Sequence, residues 1–203
     1  MKQTLYEQEI ERISNIESEY KKLSGEQLRS FLYETCGITL LSIQKTEFIL
    51  QGIVSHFNQD LLERNKNFKN LTPRAFLDND DDSKKKRKQT LGTILRFLTD
   101  STDLFEYEEL SEYIGKRNLF IHSFWRDFLS NGRSSKQEEI YNTLSFTIEL
   151  LKLDIKWQHI FQGMLFEFAK TIAENHNRDL TAFDNLKTYQ NDFLEYIHRK
   201  HIS

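Results

Sequence analysis

Apolar residues recur at intervals of three and four along this chain, the spacing of one helix face, and the blocks they define predict its elements. From Thr4 to Tyr20 the stripe is Leu5, Ile10, Ile13, Ile16 and Tyr20. Ser24 followed by Gln27 has the order of a capping box, so a second segment, GEQLRSFLYETCG, is expected to start there and to stop near Gly37. Residues 1–37 are accordingly expected as an N-terminal helical arm, and 38–203 as the main helical domain. The block from Thr39 to Asn65 carries Leu40, Leu41, Ile43, Phe48, Ile49, Ile53, Val54, Phe57, Leu61 and Leu62 and predicts a long core helix.

Thr72 before Pro73 has the order of an N-cap and a first-turn proline, so TPRAFL opens one short turn. The run DNDDDSKKKRK then switches from acid at Asp78 to Asp82 to base at Lys84 to Lys88, a composition expected of a solvated loop. QTLGTILRFLTD places Leu91, Ile94, Leu95 and Leu98 on one face, and Ser101 or Thr102 is expected to cap the next helix. That helix has an acidic start, DLFEYEELSEY, which suits the positive end of the helix dipole, and it runs through Gly115 into KRNLFIHSFWRDFL. After SNGRSS, Ser135 and Glu138 form a second capping-box pattern ahead of the longest periodic block, about Glu139 to Glu174. A terminal amphipathic segment carries Phe183, Leu186, Tyr189, Phe193, Leu194 and Ile197.

Composition sharpens this into a fold class. One proline and seven glycines in 203 residues leave few obligatory breaks, so the chain is expected to be all-α: a bundle of four to five core helices with additional N-terminal and C-terminal helices. A net charge of −3 argues against coating nucleic acid by bulk positive charge, and any RNA contact should be focused. The single cysteine, Cys36, excludes an internal disulfide and a cysteine-based zinc site, and reads as a small buried apolar residue. The first residues, MKQTLYEQEIERI, are charged and periodic, and no uncharged apolar stretch is long enough to span a bilayer, so a cytoplasmic protein with no membrane partner is expected.

The candidate chemistry lies in KRNLFIHSFWRDFL, where Arg117, Asn118 and His122 stand among large apolar side chains. On an α-helix Asn118, His122 and Arg126 are spaced four apart and form one polar column, with Arg117 displaced by about 140° from His122 around the axis. A histidine supplies a proton donor or acceptor, and an arginine holds and neutralises a phosphate. Those are the parts needed for attack on RNA by its own 2′-hydroxyl, and that chemistry requires no metal and no cofactor. The remaining histidines, His56, His159, His176, His198 and His201, are scattered, and no pair stands in a metal-binding pattern.

Arg117-Asn118-Leu119-Phe120-Ile121-His122 resembles the R-x4-6-H motif of the HEPN family, the higher eukaryotes and prokaryotes nucleotide-binding domains, in which a polar residue often follows the arginine. The match covers about Ile38 to Ala173. The resemblance implies a helical bundle that pairs as a homodimer around a shared cleft, with metal-independent endoribonuclease activity in many members. It also implies that Arg117 and His122 are the catalytic pair and that Asn118 is the orienting polar residue; Arg126 joins them as a further orienting residue by its helical spacing from His122 alone.

A toxin or antiviral-defence ribonuclease acting on RNA is therefore the leading expectation. Its rivals are a catalytically silent helical module that binds a partner such as a nucleotidyltransferase-like antitoxin, and a nucleotide-binding regulator. Phe120, Phe124, Trp125 and Phe128 cannot all point to one side of a helix, so a symmetric dimer whose interface includes Thr102 to Leu129 is expected.

Overall fold

In a computed structural model of the chain, residues 4–57, 91–105, 107–124, 126 and 136–202 are described, and among them there is no strand. The expected turn at TPRAFL, the charged run after it, and Trp125 and Phe128 all lie outside the described residues. Among the described residues six α-helices, one π-helical segment and one 3-10 segment make the protein all-α.

Helix α1 (Leu5–Tyr20) opens on a reciprocal cap: the Glu7 backbone N–H donates to Thr4 Oγ1 at 3.1 Å, and the Thr4 N–H donates to Glu7 Oε2 at 2.8 Å. The chain restarts at Gly25, whose φ of +58° lies in the left-handed region that favours glycine, and helix α2 runs from Gly25 to Ser55. The stop expected at Gly37 is thus corrected. Leu28, Leu32, Cys36, Thr39, Ile43, Thr46, Leu50 and Ile53 are all buried, an inner stripe that stays in phase across the glycine. That burial outweighs the roughly 1 kcal/mol that glycine costs in a helix interior. The helix expected over Thr39 to Asn65 therefore begins earlier, as part of α2, which closes at Ser55, and the part of that expectation beyond residue 57 lies outside the described residues. Leu40, Leu41 and Phe48, expected in the core, face outward instead.

Helix α3 (Leu91–Ser101) buries Leu91, Ile94, Leu95 and Leu98, the face the sequence predicts. The Thr102 hydroxyl donates to the Leu98 carbonyl at 3.0 Å, so it closes α3 and does not cap the next helix, α4 (Tyr107–Asn118). Helix α5 (Gln137–His176) is the long helix expected, and the terminal segment divides into a 3-10 helix (Thr181–Tyr189) and α6 (Gln190–Ile202).

Contacts divide the chain into two compact units, Met1–Lys45 with Ser111–Trp157, and Thr46–Leu110 with Gln158–Ser203. In the first, the Tyr20 ring lies 6.2 Å from Phe31 and 6.0 Å from Tyr141, and the Tyr141 hydroxyl donates to the Leu23 carbonyl at 2.8 Å. Lys152 pairs with Glu17 at 2.7 Å, so the last turn of α1 is fastened to α5 through both Glu17 and Tyr20. Lys152 holds the Glu17 carboxyl below its ordinary value, chiefly by that hydrogen bond. Cys36 is buried against Thr147, as expected of a small apolar residue, and burial pushes its thiol up to about 11.

In the second unit, Phe57 meets Phe97 and Phe168 edge-on, and Phe105 lies between Phe161 and Tyr196. Gly163 on α5 is a contact point for the terminal segment: a Cβ there would lie 2.3 Å from the Tyr189 carbonyl oxygen and 2.6 Å from Phe193 Cβ. His159, also on α5, bonds Asp192 of α6 through Nδ1 at 2.7 Å and meets the Tyr189 ring edge-on.

Candidate functional site

Helix α4 carries Glu108 and Glu109 in its first turn and Lys116 and Arg117 in its last, the charge order that complements a helix dipole. Lys116 stays at the surface, bridging Glu149 at 3.0 Å and Glu112 at 3.3 Å, and the bond to Glu149 is the main cause of its raised pKa. Tyr113 and Arg117, one turn apart, face inward, and Arg117 is only 9% exposed. Its Nη1 donates to Asn118 Oδ1 at 3.0 Å, so the two residues brought together by sequence are also joined by a hydrogen bond.

The α-helical geometry stops at Asn118. Leu119–Phe124 form a π-turn, in which each carbonyl bonds five residues ahead. Its wider turn shifts the helix phase between Asn118 and Arg126, so a spacing of four no longer guarantees a common face and the expected α-helical column is corrected to one interrupted by this turn. Asn118, His122 and Arg126 are nonetheless all exposed. Phe120 and Phe124 are buried with ring centroids 5.1 Å apart, and Phe124 stacks on Phe146 of α5. These two rings are therefore covered within their own unit. His122 projects from the turn with no hydrogen bond or ion pair among the described residues, beside Leu119, which is also exposed.

Beneath this surface lies a polar cluster that the sequence reading did not find. Asp154 of α5 is fully buried, and its two oxygens accept from the hydroxyls of Ser42 on α2, at 2.5 Å, and Tyr113 on α4. A buried carboxylate needs donors on both oxygens, and these two hydroxyls supply them. The sign in the sequence was the position of Asp154 in LLKLDIKW, on the inward face shared by Leu150, Leu151 and Trp157. Tyr113 thus ties α4 to α5 one turn before Arg117.

Among the described residues no three His, Cys, Asp or Glu side chains converge as a metal site, and no helix is long and apolar enough to cross a membrane. Comparison with protein-family models, with curated proteins and with solved structures found no match.

Proposed function

We propose that this chain is a HEPN-like, metal-independent endoribonuclease of toxin or antiviral-defence type that cuts RNA as a homodimer. The 2′-oxygen attacks the adjacent phosphorus, the bond from phosphorus to the 5′-oxygen breaks, and a 2′,3′-cyclic phosphate and a 5′-hydroxyl result. His122 takes the 2′-hydroxyl proton or returns one to the leaving oxygen, and Arg117 stabilises the charge that grows on the phosphorane. Asn118 holds the guanidinium in place, and Arg126 adds a further cation for the RNA backbone. The observation that carries this reading is His122 itself, an exposed imidazole on a π-turn directly after the bonded Arg117–Asn118 pair. π-Turns inside helices occur frequently at functional sites.

Incubation of the purified protein with mixed RNA in excess EDTA tests it. Fragments ending in 2′,3′-cyclic phosphate are expected, and RNA that stays intact at all protein concentrations contradicts the reading.

A second reading is favoured by one specific observation, the burial of Arg117. A guanidinium so enclosed can serve as a structural anchor, and the chain would then be a catalytically silent interaction or nucleotide-binding module. Ile38 and Leu41, exposed along α2, offer such a module an apolar surface for a partner such as a nucleotidyltransferase-like antitoxin. Calorimetry with nucleotides, on protein that leaves RNA intact, separates binding from cutting.

A further inference from the structure

The end of α5 is built in a way that neither catalysis nor core packing requires. The helix stops in a Schellman turn: Asn177 takes the left-handed conformation, with φ of +49°, and the Arg178 N–H donates to the Ala173 carbonyl at 2.9 Å. That turn sends the chain back along α5 as the 3-10 helix, whose close seat is the Tyr189 carbonyl over Gly163. Between the returning chain and the α5 face at residues 166, 170, 173 and 177 an open cleft of about 510 Å3 is left, within the range that small-molecule ligands occupy.

The cleft has two chemistries. Phe166 and Ala173, both buried, and the half-buried Leu180 give it an apolar floor. Lys170 from α5, Arg178 from the turn and Lys187 from the 3-10 helix bring three cations to its wall, against one carboxylate, Glu174. Among the described residues no ion pair or side-chain hydrogen bond holds any of the three cations. Cations at the C-terminal turn of a helix complement its dipole, which accounts for Arg178 but not for Lys170, six residues before the helix ends at His176. Nor does it account for Lys187, which comes from a different element. Three cations and one carboxylate leave a net charge of about +2, reduced by about half a charge by the helix end. That charge suits a dianion.

We propose that this cleft binds a small phosphomonoester, with the phosphate among Lys170, Arg178 and Lys187 and a flat apolar group on Phe166, Ala173 and Leu180. The site lies wholly within the second unit and is independent of the chemistry assigned to His122.

Calorimetry on the full chain with phenyl phosphate, inorganic phosphate and phenol tests the assignment. Phenyl phosphate should bind at least about tenfold more tightly than inorganic phosphate, since burying the ring is worth more than 1.4 kcal/mol, and phenol should give no measurable heat. Arg178→Glu and Lys187→Glu, both at exposed positions, should each weaken phenyl phosphate at least about tenfold without changing the melting temperature. Arg199→Glu, on α6 and not part of the cleft lining, should leave binding unchanged. The proposal is overturned if phenyl phosphate binds no better than inorganic phosphate, if it fails to bind at millimolar concentration, or if Arg199→Glu weakens it as much as the cleft variants do.

Discussion

Asp154, Tyr113 and Ser42 are linked residues, and their removal should show it. Tyr113→Phe deletes one donor to a fully buried carboxylate and should cost about 1–3 kcal/mol, read as a lowered urea midpoint. Ser42→Ala removes a second donor, and the double variant should depart from additivity because both act on one acceptor. A Tyr113→Phe protein with the wild-type midpoint would show that the bond contributes nothing. Cys36 allows a test by pH. Its thiol is pushed up to about 11 from an ordinary 9.0 by burial, so the folded chain holds a proton that the unfolded chain releases. Stability that is full below pH 9.0 should fall as pH rises toward about 11, and more steeply than in Cys36→Ala. Parallel loss in the two proteins would remove the thiol from the account. At this scale the sequence disclosed the burial of Cys36, and it set Arg117 beside Asn118, which a hydrogen bond joins, because residue type and neighbours carry that information. It did not disclose the Asp154 cluster, whose partners lie 41 and 112 residues away.

Gly163 is the element-scale counterpart, since a methyl group there meets backbone at 2.3 Å. Gly163→Ala should push the 3-10 helix and α6 off α5 and cost about 1–3 kcal/mol. Hydrogen exchange should report faster exchange over residues 181–202, with α1 unchanged; uniform protection throughout would mean the close contact is absent. The helices themselves were largely legible, α3 and α5 to within two residues at each end, because their apolar faces keep a strict period. Gly37 misled because a propensity penalty of about 1 kcal/mol is small against a buried stripe eight residues long. The π-turn was illegible for a different reason: periodicity assumes the α-helical turn, and a local change in hydrogen-bond register leaves no mark in composition.

For the whole molecule, the all-α class followed from composition, whereas the division into two units cuts through α2, α4 and α5 and has no linear signature. The proposed homodimer should appear in light scattering as twice the 24.3 kDa chain mass at micromolar concentration. A monomer with full activity would leave a single-motif enzyme. Exposed Leu41 is a surface to probe, and Leu41→Glu should weaken association if α2 takes part, while a dimer of unchanged strength would place the interface elsewhere.

His122, proposed to transfer the proton in RNA cleavage, is a cleaner residue to replace than Arg117. Arg117 is buried and bonded, so Arg117→Ala is expected to cost stability as well as any activity, whereas exposed His122 can be replaced with little effect on folding. The direct measurement is RNA cleavage in excess EDTA by wild type and His122→Ala, side by side, with melting temperatures recorded on the same preparations. Cyclic-phosphate fragments are expected from wild type, with a rate lower by about 10²–10⁴ for His122→Ala and superimposable melting curves. Equal cleavage by the two proteins, or none by wild type, would contradict the role proposed for His122.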